Sequence, residues 1–233
     1  MQVSQTKYPI SWEELEESIK TCFRCPLHRY RRNPVPGEGS KTSKVMLIGE
    51  APGATEDEMG RPFVGAAGKL LTLTLESIGI KREDVYITNV VKCRPPQNRE
   101  PIEEEIENCS IYLESQISLL KPKVVVTLGN IAGKKIFSLA SKPWNGVTRM
   151  RGKVYKLTIL GFEVHVIPTI HPAAALYNPA MRTILLNDLK LVKDLLSSTS
   201  TLSTSATDKQ TITKEDKENK KELRTLVDYI KKK

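Results

Sequence analysis

Four short apolar runs set the tightest limit on what this 233-residue chain can fold into. Each is four to seven residues long, rich in β-branched side chains and nearly free of polar ones, which is typical of strands buried on both faces of a parallel sheet. The runs cover residues 45–48, 85–91, 124–128 and 164–167. Segments with helical patterns alternate with them, and such alternation is typical of α/β proteins. The sequence therefore predicts a three-layer αβα fold around a central, mainly parallel four-stranded sheet.

The predicted helices cover residues 11 onward, 65–78, 101–120 and 180–196. Ser11 and Glu14 have the spacing of a capping box, and Pro101 suits the start of the third helix. No apolar run approaches the roughly 20 residues that cross a bilayer, so we expect no membrane association. The first residues lack the apolar core of a secretion signal, and we expect a cytoplasmic protein.

Composition divides the chain into a body and a tail. Eleven of the 17 residues from 197 to 213 are Ser or Thr, and a Lys-rich stretch follows, so residues 197–233 are predicted to be a disordered tail. The tail carries 9 basic and 6 acidic residues, which leaves +6 of the formal charge of +9 on residues 1–196. An excess of basic residues on the folded domain favours a polyanionic partner, chiefly nucleic acid.

The four cysteines, Cys22, Cys25, Cys93 and Cys109, are predicted to hold a metal centre. Structural disulfides are rare in the reducing cytosol, and a C-x2-C pair with two further cysteines suits either zinc or a [4Fe–4S] cluster. A redox C-x-x-C motif would be expected near a βαβ unit, whereas this pair precedes the first strand. No G-x-x-x-x-G-K-[ST] motif occurs, so we expect no nucleotide cofactor.

Polar and glycine-rich segments lie at or just after the ends of the four predicted strands. They are Gly49-Glu-Ala-Pro-Gly53, Asn89 near the end of the second strand, Gly129-Asn130 and Thr169-Ile-His-Pro172. Ligands of open parallel sheets bind beyond the carboxyl ends of the strands, so these segments predict one composite site.

The motifs and their order resemble those of the type-4 uracil-DNA glycosylases, a family that carries an iron–sulfur cluster. The resemblance rests on residues 49–53, Glu56-Asp57, G-R-P-F-V-G-x-A-G at 60–68, residues 86–99, the four cysteines and H-P-A at 171–173. It implies a uracil-DNA glycosylase-like catalytic domain over residues 1–196, and a monofunctional enzyme that flips uracil out of DNA, hydrolyses its N-glycosidic bond and leaves an abasic site. It also implies a structural [4Fe–4S] cluster on the four cysteines. The alternative is a non-catalytic iron–sulfur module that binds nucleic acid and is associated with a polymerase.

The resemblance also implies the roles of individual residues. Phe63 would stack on the extruded uracil, Asn89 would read its Watson–Crick edge, and His171 would donate a hydrogen bond to the departing base. The backbone of Gly49, Glu50 and Ala51 would contact uracil. Without the resemblance, a loop Phe is more often part of the core, and an Asn at a strand end more often ties the strand to a loop.

A carboxylate is needed to orient the water that attacks the sugar. Glu50 is the first candidate and Glu56 the second, although acidic residues at a helix start are often only favourable to the helix dipole. Many other uracil glycosylases have Asp where this chain has Ala51.

Basic loop residues are candidates for phosphate contacts, with plain solvated surface as the alternative for each. They are Lys92, Arg94, Arg99, Arg149, Arg151 and Lys153. Leu176 is a candidate wedge that fills the gap left by the flipped base, or an ordinary packing residue.

The end of the tail resembles the clamp-binding peptide of DNA-processing enzymes. Residues 223–230 place Leu226, Tyr229 and Ile230 at the expected spacing, so a sliding clamp is a predicted partner besides uracil-containing DNA. The alternative is a short amphipathic helix that docks on its own domain. We expect a monomer.

Overall fold

The computed structural model describes residues 11–200, with side chains described as far as residue 197. Its centre is a mixed sheet in the order β1-β3-β2-β4-β6-β5. The strands are β1 Glu38–Gly39, β2 Val45–Gly49, β3 Tyr86–Asn89, β4 Val124–Leu128, β5 Tyr155–Ile159 and β6 Phe162–Thr169. Strands β3, β2, β4 and β6 are mutually parallel, so their carboxyl ends lie along one edge of the sheet.

Seven α-helices flank or connect these strands within the described residues. They are α1 Trp12–Lys20, α2 Ala54–Met59, α3 Ala66–Ser77, α4 Glu103–Leu120, α5 Asn130–Leu139, α6 Val147–Met150 and α7 Pro179–Ser200. Short 3-10 turns occur at Pro26–Arg29, Arg82–Asp84, Pro96–Asn98 and Pro172–Ala175. The cap predicted at Ser11 is confirmed, because its side chain accepts a hydrogen bond from the backbone N–H of Glu14 at 3.1 Å.

The two faces of the sheet carry separate apolar cores, as alternation along a strand requires. Met46 and Ile48 of β2 pack in one core, which also contains Leu15 of α1 and Leu113 of α4. The neighbouring strand residues Val45 and Leu47 belong to the second core, which includes Leu71 of α3 and Leu189 of α7. The predicted three-layer α/β fold is confirmed.

The sheet has six strands where the sequence predicted four, because each edge gains one antiparallel strand. β1 is only two residues long, and β5 alternates exposed and buried side chains, as an edge strand does. Neither has the continuous apolar character that marks the central strands, and this is why the sequence pattern missed them.

Helix α7 runs to Ser200, four residues into the predicted tail. The rest of that tail, and with it the clamp-binding peptide predicted at residues 223–230, lies outside the described residues. No helix in the described part of the chain has the length and apolar character needed to cross a membrane.

Candidate active site

A cavity of about 310 Å³ opens at the carboxyl ends of the parallel strands. Its lining includes the residues Glu50, Ala51, Pro52, Gly53, Glu56, Phe63, Ala67, Asn89, Pro95, Asn98, Arg99, His171 and Ala173. The structure therefore brings Phe63, Asn89 and His171, three residues far apart in the sequence, to one pocket of the size expected for a small ligand.

Gly49 ends β2 where Asn89 ends β3, and the two are paired in the sheet. A Cβ atom on Gly49 would lie 2.4 Å from Oδ1 of Asn89 and 2.5 Å from Cζ of Phe63. Both distances are far below van der Waals contact, so only glycine allows the amide and the aromatic ring to approach the end of this strand so closely.

Phe63 is almost fully buried and has a left-handed backbone with φ of +49°. This conformation is uncommon for a residue with a side chain, and surrounding contacts must hold it. Glu56 supplies two of them, because its Oε1 accepts hydrogen bonds from the backbone N–H groups of Val64 at 2.9 Å and Gly65 at 2.8 Å. One carboxylate oxygen of Glu56 is thus committed to holding the Phe63 loop.

Asn89 is 1% exposed, and its Oδ1 is buried without a hydrogen-bond partner in the described structure. An unpaired buried polar atom costs free energy unless a ligand or water satisfies it. Because the side chain borders the cavity, this unpaired amide is suited to reading the edge of a bound base.

His171 lies two residues beyond β6, and its ring centroid is 5.7 Å from that of Phe63. Its Nδ1 accepts a hydrogen bond from the backbone N–H of Ala173 at 3.2 Å, so in the neutral imidazole the proton is on Nε2. Burial lowers the pKa of His171 to about 4, against a smaller opposing effect of Glu56. The residue is therefore a neutral hydrogen-bond donor at physiological pH.

Gly129 allows this placement of the histidine. It has a φ of +96°, and a Cβ there would lie 3.2 Å from Cβ of His171. The predicted glycine-containing segment after β4 thus contributes space to the site.

Glu50 follows β2 directly and lines the same cavity. Burial raises the pKa of its carboxyl group, and the nearby charge of Glu100 raises it further. A partly desolvated carboxylate in a pocket is suited to general-base chemistry.

The basic residues predicted from the loops fall into two groups. Arg99 makes a two-point ion pair with buried Glu105 at 2.6 and 2.8 Å, and Arg151 pairs in the same way with buried Asp188. Both guanidinium groups are thus engaged in ion pairs within the fold, and of the two only Arg99 lines the pocket. Arg149 and Lys153 are exposed, and Arg94 is half-buried, with its Nε donating to Oδ1 of Asn98 at 2.8 Å.

The turn after His171 is followed by an exposed aromatic residue that was not among the predicted site residues. Leu176 is half-buried, whereas the next residue, Tyr177, is 94% exposed. Tyr177 is the most exposed of the large apolar side chains in the described residues, and it lies four residues after Ala173, which lines the pocket.

All four cysteines line a second cavity, formed where α1, the segment after β3 and α4 meet. Cys93 and Cys109 are buried, Cys22 and Cys25 are half-buried, and none of the four forms a disulfide. Three N–H groups point at the sulfurs: Nη1 of Arg31 lies 3.1 Å from Sγ of Cys93, the amide of Lys92 3.3 Å from Cys109, and the amide of Arg24 3.4 Å from Cys22. In the described residues, no three or more His, Cys, Asp or Glu side chains are arranged so that they could hold a metal ion.

Burial raises the pKa of the Cys109 thiol to about 12, and also raises the pKa values of Cys25 and Cys93. Free thiols here would stay protonated at neutral pH, so binding a metal would release their protons. The N–H donors around the sulfurs favour the thiolate form that results.

Lys92 was predicted to lie on the surface, and this prediction is wrong because the residue is in the interior. It is 1% exposed, and burial lowers its pKa to about 8. The available signal was its position between Val91 and Cys93, at the end of an apolar run and next to a proposed ligand.

A family model described as the uracil DNA glycosylase superfamily matches residues 36–193. A type-4 uracil-DNA glycosylase of Sulfurisphaera tokodaii is 50% identical over 186 residues, which cover 79% of this chain and 84% of that protein. Proteins of the same name from Pyrobaculum aerophilum and Saccharolobus solfataricus are 51% and 48% identical, covering 77% and 79% of this chain and 91% and 86% of their own lengths.

Proposed function

The chain belongs to the type-4 uracil-DNA glycosylases of the uracil DNA glycosylase superfamily, and from this premise we propose how its pocket excises uracil from DNA. The observation that carries the proposal is the convergence of Phe63, Asn89 and His171 on one cavity. An enzyme that acts on a base must extrude it from the stack, recognise its edge and hold its flat face. The pocket offers a ring, an amide and an imidazole for these purposes.

Recognition is assigned to Phe63 and Asn89. The ring would stack on the pyrimidine, while the unpaired carboxamide would accept from N3–H and donate to O4. A cytosine at the same place would set its exocyclic amine against the donor side of that amide. Buried polar groups left unpaired in this way give strong discrimination between similar ligands.

Bond cleavage is assigned to His171 and Glu50. The base departs with negative charge, and the neutral Nε2–H of His171 would stabilise that charge at O2. Glu50 would orient the attacking water and offset the positive charge on the sugar. Glu56 remains a second candidate, but the Oε1 atom that holds the Phe63 loop leaves only its Oε2 for water.

A uracil-containing oligonucleotide tests this function directly. The intact protein should yield abasic sites that alkali converts to strand breaks, and Asn89→Ala should lower kcat/KM by about 10²-fold, because two hydrogen bonds to the base are lost. The same oligonucleotide with cytosine in place of uracil should stay intact. Tight DNA binding without any abasic product would instead support the non-catalytic module.

The [4Fe–4S] cluster is assigned to Cys22, Cys25, Cys93 and Cys109. Four buried or half-buried thiols around one cavity, with N–H donors directed at three of them, suit thiolate ligands. In such a cluster each cysteine binds a different iron, so the sulfurs need to surround a volume and not to meet at one atom. When bound, the cluster would supply a cross-link between distant chain segments; no step of the cleavage uses it.

DNA contacts are assigned to the exposed cations Arg149 and Lys153 and to the turn after His171, with Arg94 as a further candidate. The two-point ion pairs of Arg99 and Arg151 leave these residues fewer free donors for phosphate. Arg149→Ala is expected to weaken DNA binding and to reduce the slope of log K against log salt concentration by about 0.9, and an unchanged slope would contradict the contact.

Tyr177 is proposed, in place of Leu176, as the side chain that enters the duplex when the base flips. Inserted side chains stabilise a duplex from which a base has been removed, whereas a single strand needs no such support. Tyr177→Ala should therefore lower kcat/KM on duplex uracil DNA about tenfold, since stacking on a base is worth roughly 1–3 kcal/mol. Activity on single-stranded DNA should change less than threefold. The control is Tyr155→Phe in β5, and equal losses on both substrates would contradict the role.

A further inference from the structure

Lys92 lies inside the protein directly behind the pocket, and its ammonium group has three well-placed acceptors. Nζ donates to the main-chain oxygen of Asn89 at 2.5 Å, to Oγ1 of Thr88 at 2.8 Å and to Oε1 of Gln116 at 2.8 Å. None of these three partners is a carboxylate. Burying a cation costs free energy even where charges on the sulfurs of Cys109 and Cys93 offset part of that cost, so the three hydrogen bonds are needed to hold the ammonium here.

The side chain of Asn89 has no anchor of its own. In the described structure Oδ1 is unpaired, and the amide nitrogen makes no hydrogen bond to another residue. The direction of the carboxamide therefore depends on its main chain and on the close packing against Gly49 and Phe63. If the amide turned freely, its donor and acceptor sides could exchange places, and it would not distinguish uracil from cytosine.

The main chain at Asn89 is held on both sides. On the outer side, the N–H groups of Val90 and Val91 donate to the carbonyls of Gly49 at 2.9 Å and Glu50 at 3.1 Å. On the inner side, the carbonyl of Asn89 itself accepts from Lys92. Without the ammonium, this buried carbonyl would lose its partner at the point where β3 leaves the sheet.

We infer that Lys92 is a positioning residue for uracil recognition, which fixes the main chain of Asn89 and so aims its carboxamide at the base. The inference rests on the proposed base-reading role of Asn89. Lys92 is buried and does not line the pocket, so it acts only through Asn89. The three acceptors in turn hold the ammonium, so Thr88 and Gln116 belong to the same support.

The lysine also joins the pocket to the cysteine site. Its backbone N–H donates to Sγ of Cys109 at 3.3 Å, and Cys93 is the next residue in the chain. A change at Lys92 can therefore disturb either site, and iron content must be measured beside base recognition.

The test replaces Lys92 by Met, which keeps the length and removes the donors. We expect free uracil to inhibit Lys92→Met about tenfold more weakly than the wild-type enzyme, with a similar fall in kcat/KM, because a hydrogen bond to a charged group is lost. Lys135→Met is the matched control: Lys135 is also buried, bonds to Glu107 at 3.3 Å and does not line the pocket. Its inhibition by uracil and its kcat/KM should stay at wild-type values.

A double-mutant cycle separates positioning from a merely structural role. In an Asn89→Ala background, Lys92→Met should weaken uracil inhibition no further, because coupled residues are not additive. Additive losses, or wild-type uracil inhibition in a folded Lys92→Met protein with full iron content, would overturn the inference.

A second variant is available if Lys92→Met does not fold or loses iron. Thr88→Val should then show the same direction of change, with uracil inhibition about threefold weaker than in the wild-type enzyme. Wild-type inhibition in Thr88→Val would overturn the inference equally. Should Asn89→Ala itself bind uracil normally, the base-reading role would fail first.

Discussion

His171→Ala is expected to lower kcat on uracil-containing DNA by about 10²–10³-fold, with a much smaller change in KM. A donor aimed at the departing base acts mainly in the transition state, where negative charge on O2 is greatest, and contributes little to ground-state binding. Single-turnover kinetics on a uracil oligonucleotide measure the effect without interference from product release. A rise in KM with unchanged kcat would show that the imidazole only binds substrate.

Two variants sharpen this experiment. His171→Gln keeps an N–H donor in the pocket and should recover part of the lost rate. His165→Gln alters the histidine of β6 that pairs with Val124 away from the pocket, and its rate should match the wild-type enzyme. Equal rates for His171→Ala and His171→Gln would indicate that the ring acts through packing against Phe63.

The same histidine has a consequence for stability in acid. Its pKa is lowered to about 4 by burial, whereas the unfolded chain would bind the proton near the ordinary value of about 6.5. Between these values the unfolded state holds more protons, so the contribution of His171 to the free energy of unfolding falls as the pH drops from about 6.5 to about 4. Urea unfolding at pH 7 and pH 4.5 should show a smaller pH difference for His171→Ala than for the wild-type protein.

The sequence predicted the central strands and the meeting of Asn89 and His171 for one physical reason, whereas Phe63 and the individual roles came from the family resemblance. Strands buried on both faces must be continuously apolar, and parallel strands end at the same edge, so residues such as Asn89 and His171 could be placed together before the fold was known. Edge strands carry no such constraint, and β1 and β5 were accordingly missed.

The amino-acid pattern does not show which charged residues pair with partners far away in the sequence. Arg151 lies in a basic loop in the sequence, yet the fold sets it against Asp188 of α7. Lys92 also lies among basic loop residues in the sequence. In the fold, however, its side chain points inward and donates to the main-chain oxygen of Asn89. The choice between Leu176 and Tyr177 likewise depends on which side chain the turn at Pro172–Ala175 leaves uncovered.

Cys93→Ala is expected to abolish iron binding and to lower the free energy of unfolding by about 4 kcal/mol. The estimate comes from chain entropy: a link between Cys25 and Cys93 closes a loop of about 68 residues in the unfolded chain, and releasing it restores that freedom. Iron per chain and visible absorbance report the cluster, while urea unfolding reports stability. Ser110→Ala is the control, because it changes a buried residue of α4 next to Cys109 and removes one hydrogen bond, to Glu114 at 2.6 Å; it should keep its iron and lose about 1 kcal/mol.

Cys93→Ala should lower cleavage activity less than it lowers the free energy of unfolding. Cys93 follows Lys92 in the chain, and Pro95 and Arg99 of the same segment line the pocket, so release of Cys93 loosens one wall while Phe63 and His171 keep their own supports. We expect the folded fraction of Cys93→Ala to retain measurable cleavage of uracil DNA with weaker inhibition by free uracil. A colourless wild-type protein with stoichiometric zinc would contradict the cluster assignment, and full iron content in Cys93→Ala would exclude Cys93 as a ligand.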